Sequence, residues 1–328
     1  MIRAGYSFLV AALGAGMALG AGGFAAAQDK PDLSKVTLRV GDQTGATQSK
    51  LKAAGLLNDL PYRIEWSVYA AAVNLHEALK ADAVDTGLAG DAPTVSAIAG
   101  GSPIQVVAAF QNTSPGTSIV VPRDSPIKSI AELRGKTISP TTRGSAGHFL
   151  VLRALKRDGV PLNAVKLAFL APVDANAAFQ TGTIDAWSIW GIYRARAQGG
   201  LQARTLASAQ GLTPSLFVLA ARKSAVEDAG KRAALADFAN RIERGYEWAR
   251  TNKEGLLDWY QSFSKLDRET ALSLYGEEAS YHRVSTDDEL AEKFQGIFAT
   301  WVEGGVQKGD LDLKPFIYRG LKSGVGTN

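Results

Sequence analysis

The 328-residue chain contains no cysteine, three histidines and two methionines. Without cysteine there is no disulfide, no thiolate nucleophile and no thiolate metal ligand. A lipid anchor built on a processed N-terminal Cys is excluded with them. The histidines, His76, His148 and His282, stand apart, and His76-Glu77 lacks the second His of an H-E-x-x-H pair, so a zinc hydrolase has no ligand set. No G-x-x-x-x-G-K-[ST] run occurs, which removes the usual cradle for a nucleoside triphosphate. The charges are scattered, with a formal net charge of +4 and no block of five like signs. That pattern leaves no electrostatic footprint for nucleic acid. The reading implies no cofactor and no metal.

What is present begins with an apolar N-terminus. Arg3 precedes a stretch from 6 to 26 that is almost wholly apolar or Gly, and Ala25-Ala26-Ala27 leads into Gln28-Asp29-Lys30. A short positive region, an apolar run and a small-x-small site describe a secretory signal peptide over 1–27. An uncleaved membrane anchor is the competing reading, since about 20 apolar residues can span a bilayer. The whole chain is 46% hydrophobic and 21% charged, enough to bury a core. An exported chain with neither lipid anchor nor disulfide suits a soluble monomer of a bacterial periplasm, or one secreted outright.

From residue 36 short apolar runs alternate with helical periods. Strands are expected at 36–40, 62–68, 83–89 and 104–110, with helices at 48–58, 73–80 and 93–99. A second unit, from about 122, carries strands at 136–138, 165–170, 184–189 and 216–220 and helices at 145–158 and 173–180. Such alternation argues an α/β chain with mostly parallel sheets. After Arg222 the expectation is helix only: Leu235, Phe238, Ile242, Tyr246 and Ala249 follow a three-four spacing, as do Leu290, Phe294, Ile297 and Trp301.

Residues 77–90 echo residues 177–190 at an offset of 100: a helix end, a tight turn, an Asp (Asp85, Asp185), then an apolar strand. Gly182 suits the left-handed helix cap that this turn needs, and Asp82 manages it less easily. Either any helix–turn–strand unit looks like this, or two similar lobes deliver strand ends to a common place, where ligands of open α/β sheets bind.

The stretch 141–155, TTRGSAGHFLVLRAL, opens a helix. The first turn of a helix has unpaired N–H groups and a positive dipole end. Thr142, Arg143, Gly144, Ser145 and Ala146 therefore read either as an anion site with hydroxyl and amide donors or as a plain N-cap by Thr142 or Ser145. Gly144-Ser145-Ala146-Gly147 is no nucleophile elbow, and His148 is expected to pack rather than to act as a base. Trp187 and Trp190 crowd a strand end. One should point into the core, and the other is free to cover an apolar part of a ligand. Asp185, a carboxylate, would repel an anion directly, so its expected role is to orient N–H or hydroxyl groups.

Five segments then give the chain a family likeness: 40–45; 77–79 running to Gly90-Asp91-Ala92-Pro93; 125–128 with 133–136; 144–148 through 152–155; and 177–180 through Asp185-Ala186-Trp187-Ser188-Ile189-Trp190. Over about 36–222 the sequence resembles the periplasmic substrate-binding proteins of nitrate, sulfonate and taurine ABC importers, most of all the aliphatic-sulfonate branch. The resemblance implies a two-lobed type II periplasmic-binding-protein fold with a hinge and with C-terminal helices packed on the first lobe. The lobes would be 34–121 plus 223–328, and 122–222. It implies a non-enzymatic receptor that hands a small anion, a sulfonate, to a membrane ABC permease, with Gln43, Gly90, Asp91, residues 142–146 and Asp185 to Trp190 around the ligand. Ala72, Gly191-Ile192, Asp42 and Gly147 depart from the family's usual residues, which alters the cleft near the ligand's tail. Other readings are a receptor for nitrate or a thiamine-precursor pyrimidine, a Cys-independent enzyme on the same fold, and an exported ligand sensor.

Overall fold

Two β-sheets organise the chain, and two segments that cross between them set the architecture. The structure is a computed structural model that describes residues 31–113 and 116–321. The signal peptide expected over 1–27 lies outside the described residues. The first half runs β1 (Thr37–Gln43), α1 (Ala46–Ala53), β2 (Arg63–Tyr69), α2 (Ala72–Lys80), β3 (Thr86–Gly90), α3 (Asp91–Ala99) and β4 (Ile104–Gln111). The second runs β5 (Thr117–Val121), β6 (Thr137–Ser139), α4 (Ala146–Arg157), β7 (Lys166–Leu167), α5 (Pro172–Gln180), β8 (Ala186–Trp190), α6 (Gly191–Gly200) and β9 (Arg204–Ser208). Then come β10 (Leu216–Arg222), α7 (Lys223–Glu227), α8 (Ala229–Thr251), α9 (Lys253–Ser264), α10 (Arg268–Glu278), β11 (His282–Val284) and α11 (Asp288–Glu303).

One sheet has the order β11-β4-β10-β3-β1-β2 and the other β7-β6-β8-β5-β9. β1 pairs in parallel with β2 and β3, and β6 with β7 and β8. The exchanged strands run against this grain. β10 lies antiparallel between β3 and β4, and β5 antiparallel between β8 and β9. The sequence placed 216–220 in the second unit and everything up to 121 in the first. The chain changes sheet instead between β4 and β5 and again between β9 and β10. Local sequence cannot report this, because a fully buried apolar strand looks alike in either sheet. β11 also corrects the expectation of helix alone after Arg222: His282 to Val284 pair with Gln111 to Ala109.

The echo at an offset of 100 is a true structural repeat. α2-β3-α3 and α5-β8-α6 start at equivalent positions, and the central strand of each is tied to its neighbour in the same way. The Asp85 N–H donates to the Arg39 carbonyl (2.8 Å), while the Asp85 carboxylate accepts from the Arg39 N–H (2.9 Å). The Asp185 N–H donates to the Thr137 carbonyl (2.8 Å), and its carboxylate accepts from the Thr137 N–H (2.8 Å). Each Asp thus fixes the entry of a parallel strand, which would otherwise carry an unmatched backbone donor.

The stripes of α8 and α11 are buried as the spacing predicts. Each large apolar side chain so buried contributes roughly 1.5–3 kcal/mol. α11 lies against α3, where the Trp301 indole N–H donates to the Ala92 carbonyl at 3.1 Å. α8 packs on β1, β4 and β11. α9 and α10 reach further, joining Ala195 of α6 in one apolar cluster.

Candidate functional site

Four helices begin at one cleft. Gln43 ends β1 there, and Ala72 starts α2. Gly90 and Asp91 form the β3–α3 junction, Ser145 and Ala146 the start of α4, and Trp190 and Gly191 the β8–α6 junction. These junctions recur because each parallel strand ends at the same edge of its sheet and turns at once into a helix, so the helix start faces the neighbouring sheet. The cleft has about 760 Å³ of empty space, solvent at its mouth included. The N-terminal ends of helices carry positive partial charge, and several of them sharing a cleft favour an anion there.

At the start of α4 most donors are already used. The Gly144 N–H donates to His148 Nδ1 (3.2 Å) and the Ser145 N–H to the Thr142 carbonyl (3.2 Å). Ser145 is the N-cap: its Oγ accepts from the His148 N–H (3.2 Å) and donates to the Pro140 carbonyl (3.0 Å). The amide of Ala146 has no partner among the described residues and lies on the cleft wall. Of the two sequence readings of this turn, the N-cap one describes Ser145. Gly144 sits at φ +80°, and a Cβ there would come within 2.8 Å of Ser96 Oγ, so the turn needs glycine. Gly147 lets α4 lie close on β8, since a Cβ would stand 2.7 Å from the Ser188 carbonyl.

Arg143 and Thr142 do not join the cleft lining. Arg143 is exposed, its guanidinium 4.5 Å over the Phe169 ring, and with Gly144 it faces a separate cavity beside His76 and Lys80. Thr142 Oγ1 is buried with no partner among the described residues. His148 packs between Phe169 and Trp301, and burial, with Arg143 nearby, brings its pKa down to about 4. The ring is therefore neutral and suited to accept the Gly144 N–H.

The carboxylates are structural. Asp185 stands at the opposite end of β8 from the cleft, bound to Thr137. Asp91 lines the cleft but is 5% exposed, and its two oxygens accept from the Ala92 N–H (2.6 Å) and the Leu216 N–H (3.0 Å). It therefore pins exchanged strand β10 to the start of α3. Burial pushes its pKa up to about 6. Asp42 is buried as well and caps α1 by accepting from the amides of Thr47 and Gln48.

The two tryptophans part as strand alternation requires. Trp187 is 1% exposed and packs on Phe179 in the core of the second sheet. Trp190 is half-buried and faces the cleft. Gln43 lines the same space, and its Oε1 is buried with no partner among the described residues.

Sequence reasoning missed Phe217, Glu277 and Tyr281, which close the cleft from β10 and from the segment around α10. No local motif marks them, because they come from far along the chain. Glu277 pairs with Arg194 of α6 at 2.5 Å in a buried setting. Burial, opposed by Arg194 and reinforced by Glu278, pushes its pKa up to about 7. Among the described residues no group of three His, Asp or Glu side chains is arranged to hold a metal ion.

With this geometry in hand, comparison with known proteins is informative. Residues 64–255 match the family model described as NMT1/THI5 like. A protein of Escherichia coli (strain K12), named as a candidate aliphatic sulfonates-binding protein, is 35% identical over 182 residues, or 54% of this chain. The match spans 56% of that relative, just over half its length. The crystal structure of the periplasmic aliphatic sulphonate binding protein SsuA from Escherichia coli superimposes with a TM-score of 0.75 at 26% identity, covering 91% of this chain and 95% of that one. The alkanesulfonate-binding protein SsuA from Xanthomonas axonopodis pv. citri, bound to MOPS, gives a TM-score of 0.79 at 24% identity over 88% and 99% of the two chains. At that identity the likeness speaks for the fold, the two-lobed periplasmic-binding-protein arrangement.

Proposed function

Because this chain belongs to the NMT1/THI5-like family, we propose that it is a periplasmic solute receptor that binds a small organic anion, a sulfonate, and hands it to an ABC permease. The lobes, one around each sheet, close on the ligand by bending where the chain crosses between sheets, as at 209–215. The observation that carries this reading is the convergence of the helix starts at Gly90, Ala146 and Gly191 on a single cleft that also holds Trp190. A sulfonate keeps its charge across the working pH range and accepts several hydrogen bonds. It needs donors and a positive environment, and no proton transfer. The Ala146 amide and the carboxamide of Gln43 supply donors, since the Gln43 amide can present its NH₂ in place of its Oε1. Trp190 lies against the carbon skeleton.

The chain acts as a carrier rather than an enzyme. Ser145, a buried hydroxyl on the cleft wall, is committed to a carbonyl and to an amide, and among the described residues no base is aimed at it. Nitrate is the weaker alternative ligand, because an anion without a skeleton leaves Trp190 nothing to cover. Titration of the mature protein with ethanesulfonate, taurine and nitrate, followed by calorimetry and Trp fluorescence, tests the reading. Sulfonate binding tighter than about 1 mM, equivalent to roughly 4 kcal/mol, is expected. Absence of any sulfonate binding at that level sinks it.

A further inference from the structure

The cleft continues into a second chamber that the anion's head does not need. Gln43, Trp190, Gly191, Phe217, Glu277 and Tyr281 border both spaces, so the two share a wall or a passage rather than lying apart. The second chamber has about 820 Å³ of empty space, solvent included. Its lining is unusually aromatic: beyond the shared rings it adds Tyr193, Tyr246, Trp259, Tyr260 and Phe263. Its charges are matched in pairs. Lys50 is bonded to Glu278 and sits 3.9 Å over the Tyr246 ring, and Glu277 is bonded to Arg194. All four of these side chains are largely buried.

Resting on the sulfonate reading above, we infer that this chamber receives the ligand's tail and that the cognate ligand is a sulfonate carrying an uncharged ring, aryl or heterocyclic. The head stays at the helix starts near Ala146, and the ring passes Trp190 and Phe217 to lie among the aromatic side chains. Flat π-faces favour a ring over a flexible alkyl chain, because rings stack in offset or edge-on contact and lose little freedom on binding. A second negative charge on the tail is excluded. It would meet Glu277 and Glu278 in a desolvated space whose cations are already taken.

The test is calorimetry on the full mature protein with methanesulfonate, butanesulfonate, benzenesulfonate, 1-naphthalenesulfonate and 4-sulfobenzoate. The expected order is a gain of at least 30-fold from methanesulfonate to 1-naphthalenesulfonate, and a loss of at least 10-fold from benzenesulfonate to 4-sulfobenzoate. Ala46, half-buried on the chamber wall, supplies the variant: Ala46→Phe should remove most of the aryl gain and keep methanesulfonate binding within about threefold. Four outcomes overturn the inference. Equal affinity for methyl and aryl sulfonates removes the tail chamber but leaves the receptor reading standing, and so does an aryl gain that survives in Ala46→Phe. Tight binding of 4-sulfobenzoate removes the exclusion of charged tails. Failure of every sulfonate removes the receptor reading itself.

Discussion

The segments 72–100 and 172–200 share a skeleton and differ in what they show to the cleft. Both are helix, turn, strand and helix, and both use an Asp at the strand entry to grip the neighbouring strand. Where the first half ends its strand in Gly90-Asp91, the second ends in Trp190-Gly191. Positions that agree between the halves hold the fold. At the carboxyl ends of the two strands the positions that differ line the cleft. The first half brings a carboxylate, already bonded to two amides, and the second brings a large apolar surface with no acid of its own; the nearby Glu277 is paired with Arg194. An anion therefore has its better electrostatic neighbours on the second half.

The sharpest break lies within the second half itself, between Trp187 and Trp190. Trp187→Ala should cost about 3–5 kcal/mol of stability by urea unfolding, the range for emptying a core aromatic site. Trp190→Ala should cost well under half as much stability, yet weaken aryl sulfonate binding at least tenfold. If both variants lose stability alike, Trp190 is core and the second half has no special role toward the ligand.

The next contrast sets the two helix mouths against each other. Ala146→Asp puts a carboxylate at the start of α4, where the helix dipole tolerates it and adds roughly 0.3–1 kcal/mol of stability. For a bound anion about 5 Å away, at an effective dielectric of about 20, repulsion is roughly 3 kcal/mol, so affinity should fall at least 100-fold while the melting temperature holds. Asp91→Asn on the first half should act in the opposite sense. With its pKa raised to about 6, Asp91 is ionised at pH 8 and protonated at pH 5. The variant should bind methanesulfonate several-fold more tightly than wild type at pH 8 and about equally at pH 5. The sign for stability follows from the same shift. A carboxylate raised in the folded state contributes most below its unfolded pKa of about 3.9, and that contribution is lost as pH climbs through 6. Asp91→Asn should flatten this part of the unfolding curve. Equal affinity of the variant and wild type at both pH values would show that Asp91 does not feel the anion.

Much of this was legible because the repeat writes itself in short-range pattern. α2, α5, α8 and α11 follow their apolar spacing, and the strand end at Gly90 could be placed next to a helix start. α6 escaped notice because it begins and ends in glycine and buries only Arg194, Ala195 and Ala197, too short a stripe to read as periodic. β7 shrank to two residues from an apolar run of six because only Lys166 and Leu167 pair with β6. The exchange of β5 and β10 between sheets, and the arrival of Phe217, Glu277 and Tyr281 at the cleft, depend on contacts between residues far apart in the chain. Composition and spacing carry no record of those.

The smallest expected effect tests the repeat itself. Asp82 and Gly182 hold the same turn in left-handed conformation, at φ +61° and +71°. Asp82 is held there by Arg39 and Arg222, contacts that its own exposure to solvent keeps weak. Among the described residues no Arg or Lys is paired with the second turn, and open space surrounds the Cβ position at Gly182. Gly182→Asp therefore imposes the first half's residue without its arginines. Clash is absent, so the cost is conformational strain alone, about 1 kcal/mol, read as a modest drop in urea midpoint with no change in ligand affinity. A loss several times larger would mean that the second turn relies on glycine for a close contact, and that the two halves are less alike than their hydrogen bonds make them.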